Sequence, residues 1–224
     1  MDFSDILASS IHDIKNSLGM ILNNLDDLIA DPENHIKDPR QARLLQDEAR
    51  RVNSNLIQLL TLYKLGHAEL VVRVAEYNLE DFLDEMIADN QAVCNALDIQ
   101  IEQSCAPDLT GYFDSELVRS VLDNAIGNAR RYTKSRILLS ADHENDGLVI
   151  RVEDDGAGFP ARLIGQLDPT HPLKQEYEGV NRTKLGHYFS AQIASLHKTS
   201  DRQGYIQLKN GHELPGGCLE LWLP

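Results

Sequence analysis

The stretch VIRVEDDGAGFP, residues 149–160, decides how the second half of the chain is interpreted. Its first half alternates apolar and polar residues, which is typical of a β-strand with one buried face. The strand ends in acidic residues followed by Gly156 and Gly158, and glycines let the backbone come close to a ligand. Asp154, at the end of the strand, can accept a hydrogen bond from an adenine amino group. A plain glycine-rich turn is the alternative for this stretch taken by itself.

A second polar cluster lies upstream in VRSVLDNAIGNARRYT, residues 118–133, much of which we interpret as a helix over 114–131. Asn124 and Asn128 are four residues apart and share a face of that helix, and Arg131 follows on roughly the same face. Amide oxygens can be ligands of a hydrated Mg²⁺, which also binds phosphate oxygens. A guanidinium can hold a phosphate through paired hydrogen bonds. A solvated polar helix face is the alternative.

The pattern around these two stretches predicts an α+β two-layer sandwich over residues 77–224. Helices are expected at 79–96, 114–131 and 183–197, and strands in DIQIEQSC, RILLSADHENDGLVIRVEDD, YIQLKN and CLELWLP. The stretch AELVVRVAEYNL before them is interpreted as a linker with a short strand. A polar Asp-Gly turn joins the two strands of the longest of these segments. Helices combined with mostly antiparallel strands in one piece of chain indicate this fold class.

The start of the chain has a different pattern, a heptad repeat over two predicted helices at 2–30 and 40–66. The seam consists of apolar residues spaced by three and four: Ile11, Ile14, Leu18, Ile21, Leu25 and Leu28, then Leu45, Ala49, Val52, Leu56, Leu59 and Tyr63. Further apolar residues flank this seam, namely Leu22, Ile29, Leu44 and Leu60. A lone helical hairpin buries little, so we expect two hairpins to form a four-helix bundle in a homodimer. Packing of the hairpin against the rest of the same chain is the alternative.

One histidine of the first helix stands in a polar context, in SSIHDIKNSL at residues 9–18. His12 and Asn16 share a helix face beside the heptad seam, and Asp13 lies at the edge of the same surface. A neutral imidazole nitrogen can attack a phosphoryl group, while a carboxylate holds the other ring nitrogen and accepts its proton. Asn16 can orient a water molecule for hydrolysis. Taken alone, a single exposed helical histidine is more often a bystander.

In this order, the motifs resemble those of the sensor histidine kinase family of two-component systems. IHDIKNSL is similar to the family's H box, NAIGNARRYT to its N box and EDDGAGF to its first glycine box, and KLGHYFSAQIASLH and a last strand ending in LWLP follow. The resemblance covers nearly the whole chain. It implies a dimerisation and histidine phosphotransfer hairpin at 1–66, a linker at 67–76 and an ATP-binding catalytic domain of the GHKL or Bergerat type at 77–224.

For the hairpin, the resemblance implies phosphoryl transfer through His12. This histidine resembles the phosphoacceptor, Asp13 its acidic helper, and Asn16 the position at which the family keeps a Thr or Asn needed for phosphatase activity. The implied reaction is autophosphorylation by ATP, followed by transfer to an aspartate of a response-regulator receiver domain. The residues expected to select this partner lie on the His12 face of the helix, around Gly19, Leu22 and Asn23.

For the ATP-binding domain, the resemblance implies ATP and Mg²⁺ as cofactors. Asn128 resembles the magnesium ligand, with Asn124 in support, and Asp154 resembles the residue that reads adenine. The implied ATP-binding residues are, in chain order, Asn124, Asn128, the phosphate- and nucleotide-contacting pair Arg131 and Tyr132, Asp154, the lid hinge Gly156 and Gly158, and Leu185 and Gly186 at the end of the lid.

The second glycine box departs from the family pattern. The family usually has G-x-G-L-G, where this chain has RTKLG at residues 182–186. The missing glycines let backbone amides reach the phosphates, so Arg182 and Lys184 either obstruct that approach or contact phosphate as charges. Two alternatives to a kinase therefore stay open. One is a histidine phosphotransfer protein or pseudokinase that relays phosphate between receiver domains, and the other is a regulatory module or phosphatase that acts through the H box.

Composition limits the remaining classes of function. The formal net charge is −14, which argues against a nucleic-acid binder because such proteins need a basic surface. The three cysteines include no CxxC pair, so we expect neither a disulfide framework nor a zinc site. No apolar run approaches the roughly 18 residues of a membrane span. We therefore expect a cytoplasmic protein without a membrane span, which receives its signal from a sensing part elsewhere or from a separate sensor protein.

Overall fold

The computed structural model describes residues 3–30, 34, 36, 39–67, 70–169 and 184–224. The chain divides into two compact units, Met1–Val71 and Val72–Pro224. The division falls within residues 67–76, where the sequence predicts a linker. In the described part of the chain, no helix is both long enough and apolar enough to cross a membrane.

The described residues of the first unit form two long helices that pack against each other, α1 (Phe3–Ala30) and α2 (Pro39–Gly66). Their bounds agree with the predicted helices to one residue. Among the described side chains of this unit, Leu22 is the one apolar side chain that is buried. Leu22 flanks the predicted seam, so the inner side of α1 is shifted toward this flanking residue.

The seam itself leaves a regular apolar stripe exposed on each helix. On α1 the exposed residues are Ile14, Ile21 and Leu28, and on α2 they are Leu45, Val52 and Leu59. Residues seven apart lie nearly above one another on a helix, so each set forms one continuous stripe. The contacts between α1 and α2 thus leave this part of the predicted seam uncovered.

The second unit is an α+β sandwich, and in its described residues three helices pack on a six-stranded sheet. Its helices are α3 (Leu79–Ala96), α4 (Ser115–Tyr132) and α5 (Lys184–Leu196), and a short 3₁₀ helix spans Ala161–Leu163. Its strands are β1 (Ala75–Asn78), β2 (Gln100–Ser104), β3 (Thr110–Phe113), β4 (Arg136–Glu144), β5 (Gly147–Asp154), β6 (Gly165–Gln166), β7 (Tyr205–Asn210) and β8 (Gly217–Leu223). The predicted α+β fold class is confirmed for this unit.

The large sheet has the strand order β2-β4-β5-β8-β7-β6, and β1 pairs with β3 in a separate two-stranded sheet. β2 runs parallel to β4, and the other neighbours are antiparallel. A parallel pair needs a long crossover, which here contains β3 and α4. The core lies between sheet and helices, and its centre is formed by Ile137, Leu139, Ile150, Ile206 and Leu221 from strands and by Leu122, Ile126, Phe189 and Ile193 from helices.

Two strands, β3 and β6, lie outside the predicted strands. They have four and two residues, and so short a segment shows no periodicity that a sequence pattern could reveal. β3 is held by its pairing with β1 and by close packing, because a Cβ at Gly111 would come 2.6 Å from Cδ2 of Leu148. Tertiary contacts, which a local pattern does not contain, therefore determine this strand.

The opposite face of the sheet carries a buried ion-pair network. Arg151 donates from Nε to Glu220 at 2.8 Å and from a terminal nitrogen to Glu144 at 2.5 Å. Nζ of Lys209 lies 2.6 Å from the other carboxylate oxygen of Glu220. Burial by itself raises the pKa of Glu220, but the hydrogen bonds from Lys209 and Arg151 outweigh it and hold that pKa below its ordinary value. These pairs join β5, β8 and β7 on a face that none of the described helices of this unit packs against.

Candidate functional site

Helix α4 begins in a network of buried polar groups. Asp114 caps it, because its side-chain oxygens accept from the N–H of Leu117 at 3.1 Å and from the N–H of Arg73 at 2.7 Å. The N–H of Asp114 donates to Nε2 of His197 at 3.0 Å, and Nδ1 of His197 donates to the carbonyl of Ile193 at 3.1 Å. The bond that Nε2 accepts needs a neutral ring, and burial lowers the pKa of His197, although the bond to the carbonyl of Ile193 opposes this shift. The start of α4 is thereby tied to the end of α5.

Asn124, in the middle of α4, contacts the first turns of α5. Its Nδ2 donates to the hydroxyl of Ser190 at 3.2 Å. A Cβ at Gly186 would come 2.4 Å from Oδ1 of Asn124, so glycine is the residue that allows the two helices this approach. The sequence assigned Asn124 and Gly186 to one binding site from separate motifs, and the structure brings them into contact. Asn124 thus positions α5 against α4.

One turn further along α4, Asn128 is buried. Its Oδ1 accepts a long hydrogen bond of 3.4 Å from the guanidinium of Arg131. Arg131 and Tyr132 are exposed at the end of the helix. A sheltered amide oxygen beside an exposed cation is a donor set that fits Mg²⁺ and phosphate.

The carboxyl end of β5 places Asp154 among closely packed backbone groups. Asp154 is 6% exposed, and its Oδ1 accepts from the N–H of Gly156 at 2.7 Å. A Cβ at Gly216 would come 2.4 Å from Oδ1 of Asp154, and a Cβ at Gly217 would come 2.9 Å from Oδ2. Burial raises the pKa of Asp154, against the opposing hydrogen bonds from Gly156 and Gly217. Gly216 and Gly217 are not among the predicted site residues, and their one sequence signal is the Gly-Gly pair before the last strand.

Asp155 is not among the predicted site residues, yet it joins two elements of the site. Oδ1 accepts from the hydroxyl of Thr133 at 2.6 Å, and Oδ2 accepts from the hydroxyl of Ser135 at 2.8 Å. These bonds outweigh the opposing effect of burial and hold the pKa of Asp155 well below its ordinary value. The end of α4 is thereby joined to the end of β5, and a Cβ at Gly156 would lie 2.0 Å from the carbonyl oxygen of Tyr132.

Gly158 and Phe159 continue the loop and are held by Asn210 at the end of β7. Gly158 has a φ of +79°, in the left-handed region that favours glycine. Oδ1 of Asn210 accepts from the N–H of Phe159 at 2.6 Å, and its Nδ2 donates to the carbonyl of Phe159 at 2.8 Å. The amide of Asn210 therefore pairs with the loop backbone as a neighbouring strand would, and fixes where the loop leaves the sheet.

The first turn of α5 meets the same loop through His187. The ring centroids of Phe159 and His187 are 6.1 Å apart with an interplanar angle of 71°, an edge-to-face arrangement. Burial lowers the pKa of His187 to about 4, so its ring is neutral at neutral pH. Leu185, two residues earlier, is half-buried.

One end of the second unit thus brings together residues from three separate motifs. The predicted residues that meet there are Asn124 and Asn128 on α4, Asp154, Gly156 and Gly158 after β5, and Leu185 and Gly186 on α5. The donor set fits an adenine nucleotide with Mg²⁺: a buried carboxylate can accept from the base, and an amide oxygen and a guanidinium can meet metal and phosphate. Among the described residues, no group of three or more His, Cys, Asp or Glu side chains is placed to hold a metal ion.

The predicted phosphotransfer residues lie in the other unit, on α1. The backbone of His12 belongs to this helix, but its side chain lies outside the described residues, as do those of Arg182 and Lys184 in the second glycine box. Asp13 and Asn16 are exposed. Leu22 is buried, so its predicted role in contacting a partner is wrong, because an apolar side chain on that face gains more by packing.

The fold and the assembled site define a class of ATPase. Residues 113–224, half of the chain, match the family described as "Histidine kinase-, DNA gyrase B-, and HSP90-like ATPase". This match spans α4, the loop after β5 and α5, which are the elements that carry the candidate site.

Individual relatives narrow the class. Sensor protein kinase PilS of Pseudomonas aeruginosa is 27% identical over 228 residues, which covers 96% of this chain and 39% of PilS. Sensor protein BasS of Escherichia coli is 27% identical over 217 residues, which covers 93% of this chain and 55% of BasS. The structure of full-length ShkA in complex with AMPPNP has a TM-score of 0.61 at 20% identity, over 97% of this chain and 44% of ShkA. The chain therefore belongs to the sensor histidine kinase family, and the relatives do not favour the phosphate-relay alternative.

Proposed function

We propose that the chain functions as a histidine protein kinase, which binds ATP with Mg²⁺ in its second unit and phosphorylates itself on His12. The observation that carries the proposal is the convergence of α4, the loop after β5 and α5, joined by the Asn124–Gly186 contact and by Asp155. Motifs far apart in sequence that converge at one end of a fold are expected of a ligand site. The presence of AMPPNP in the ShkA structure supports the same class of ligand here.

The chemistry of the described residues suits different parts of the nucleotide. Asp154 is expected to accept from the adenine amino group, because an ionised carboxylate only accepts. Oδ1 of Asn128 would hold Mg²⁺, and the guanidinium of Arg131, which donates to that oxygen in the structure, would turn to the phosphates. When bound, ATP with Mg²⁺ supplies the γ-phosphoryl group that is transferred.

In the hairpin, a neutral imidazole nitrogen of His12 forms a bond to the γ-phosphorus while the bond to the β–γ bridging oxygen breaks, and ADP leaves. Asp13 holds the second ring nitrogen and accepts its proton. The phosphoryl group then passes to an aspartate of a response-regulator receiver domain. Asn16 is exposed on the same helix and is expected to orient water for the reverse, phosphatase reaction.

The exposed apolar stripes of the hairpin support a homodimer. Regularly spaced large apolar residues exposed on two adjacent helices mark an interaction surface, and a second copy of the hairpin completes a four-helix bundle. The proposal places both units in the cytoplasm, where ATP is available, and the signal comes from a sensing part or partner outside them.

The test is incubation of the purified chain with Mg²⁺ and γ-labelled ATP, with acid-labile label on the protein as the readout. His12→Ala is compared with the wild type and with His67→Ala, a matched control because His67 is exposed at the end of α2 in the same unit. We expect label in the wild type and the control and none in His12→Ala. Label that persists in His12→Ala contradicts His12 as the phosphoacceptor. Absence of label in all three proteins, with no nucleotide binding, contradicts the kinase proposal.

A further inference from the structure

Two buried histidines on and just after α5 differ in how their ring nitrogens are satisfied. His197 is 3% exposed, and its nitrogens pair with the N–H of Asp114 and the carbonyl of Ile193. His187 is 7% exposed, and within the described residues its Nε2 is buried without a hydrogen-bond partner. The contacts of His197 explain why a histidine stands there, whereas no described contact of His187 uses its Nε2.

The unpaired nitrogen is unfavourable for the fold. A buried polar group without a partner has lost its hydrogen bonds to water and gained none in return. Leucine would fill this helical position without that penalty and with a better helix propensity. A buried polar group without a partner among the described residues therefore needs an explanation, and a partner supplied by a bound ligand explains it.

His187 lies where the parts of the candidate site meet. The preceding residue, Gly186, packs against α4, and the His187 ring is edge-on to Phe159 in the loop after β5. Phe159 in turn lies beside Gly217, where a Cβ would come 3.0 Å from the Phe159 ring and 2.9 Å from Oδ2 of Asp154. His187 thus follows directly after the residue that contacts α4, and its imidazole contacts the Phe159 ring, which lies beside Gly217 and close to Asp154.

We propose that Nε2 of His187 donates a hydrogen bond to a phosphate oxygen of the nucleotide bound in this site, which makes His187 a nucleotide-binding residue. The inference rests on the proposed function, since it requires a nucleotide in the second unit. Phosphate is the matching group because its oxygens only accept, whereas a neutral imidazole N–H donates. The first turn of α5 adds the positive end of a helix dipole at the same place.

The test compares the affinities of the full chain for ATP with Mg²⁺ and for adenosine, measured by calorimetry, in the wild type, His187→Leu and His187→Gln. We expect His187→Leu to raise the Kd for ATP about tenfold and to leave the Kd for adenosine within twofold. Glutamine can still donate, so His187→Gln should stay within about threefold of the wild type for ATP. Equal ATP affinity in the wild type and His187→Leu overturns the inference, and a parallel loss of adenosine affinity overturns the assignment to phosphate.

A measurement on the wild type avoids any effect of substitution on folding. The ¹⁵N resonance of His187 Nε2, identified by its absence in His187→Leu, should shift on addition of ATP with Mg²⁺ and not of adenosine. An unmoved resonance in nucleotide-saturated protein overturns the inference. Asn128→Ala separates the two proposals. If the wild type binds no nucleotide, the proposed function fails. If the wild type binds, Asn128→Ala does not, and His187→Leu binds like the wild type, only the role of His187 fails.

Discussion

The two units of the chain achieve stability in different ways. In the second unit, helices and sheet bury a continuous apolar core, and the far side of the sheet is held by ion pairs such as Arg151–Glu220. In the hairpin, Leu22 is the one buried apolar side chain among those described, while large apolar residues are exposed at seven-residue spacing on both helices. The described part of the second unit buries its core within a single copy. The hairpin has an apolar surface that its own two helices do not cover.

The two units are therefore suited to different binding tasks, a small ligand in the second unit and another protein surface in the hairpin. The candidate nucleotide site is built from groups that hydrogen bonds and close glycine contacts within the unit hold in place, such as Asp154 with Gly156. The hairpin instead offers a surface that another copy has to complete. Substitutions in one unit should therefore leave the property of the other unit unchanged, which makes the comparison testable.

The largest effect is expected from Ile21→Asp in the exposed stripe of α1. Ile21 is 55% exposed in the single chain, so the change should leave each chain folded but place a charge in the proposed dimer contact. A symmetric dimer carries the change twice, so it loses on the order of 4 kcal/mol of dimerisation free energy from apolar burial. This loss raises the dimer Kd about a thousandfold. Sedimentation velocity measures it.

Met20→Asp is the matched control for this change. Met20 is 62% exposed on the same helix, but it lies about 100° around the helix axis from Ile21 and outside the stripe. It should leave the dimer intact, and nucleotide affinity should be unchanged in both variants. A dimer that tolerates Ile21→Asp as well as Met20→Asp would show that the stripe is not the interface.

In the second unit, Asp154→Asn should weaken nucleotide binding about a hundredfold, or about 2.7 kcal/mol. The amide presents a donor where the carboxylate accepts, so it repels the adenine amino group while keeping the volume of the side chain. Calorimetric titration with ATP and Mg²⁺ measures the change, with the exposed Asp108→Asn as control. Unchanged affinity in Asp154→Asn would remove this carboxylate from the adenine contact, and a changed dimer Kd would contradict the independence of the units.

The sequence predicts best what depends on local spacing. Helix α3 spans the predicted residues 79–96, and a separation of four residues suffices to place Asn124 and Asn128 on one face of α4. Strand β7 likewise has the predicted bounds, because its alternation is long enough to be recognised. These signals come from residues that are neighbours in the chain as well as in space.

What the sequence does not predict depends on contacts between distant segments. Gly217 lies against Asp154 because β8 pairs with β5. The carboxylate of Asp155 accepts from Thr133 because β5 ends beside α4. Leu22 is buried because the position of α2 decides which side of the apolar face of α1 is covered, and the heptad pattern alone does not contain that position. The same holds for Nε2 of His187, because only the fold shows that this buried nitrogen has no hydrogen-bond partner among the described residues.

A smaller effect is expected from Gly186→Ala, at the contact between α4 and α5. The new Cβ would come 2.4 Å from Oδ1 of Asn124, and such overpacking destabilises a core by about 1–3 kcal/mol. Gly127→Ala is the matched control, because nothing lies within 4 Å of a Cβ there and alanine favours the helix by about 1 kcal/mol. Urea unfolding should thus give changes of opposite sign. Equal stability of the two variants would contradict the close approach of the helices.

The smallest effect concerns the pH dependence of the second unit. The pKa of His187 is about 4 in the folded chain and about 6.5 in the unfolded chain, so the unfolded chain binds this proton first as the pH falls. The His187 ring therefore contributes to the free energy of unfolding in full above about pH 6.5. This contribution decreases as the pH falls toward about 4, and about 1 kcal/mol of it is lost by pH 5.5. His187→Leu lacks this group, so its free energy of unfolding should decrease by about 1 kcal/mol less than that of the wild type between pH 7 and 5.5. Urea unfolding of both proteins at each pH measures this difference. Burial also lowers the pKa of His197, but this histidine remains in both proteins, so its effect cancels in the comparison.

Parallel pH profiles of the wild type and His187→Leu would mean that the His187 ring is not buried in the neutral form. That result would also remove the basis for its proposed contact with phosphate.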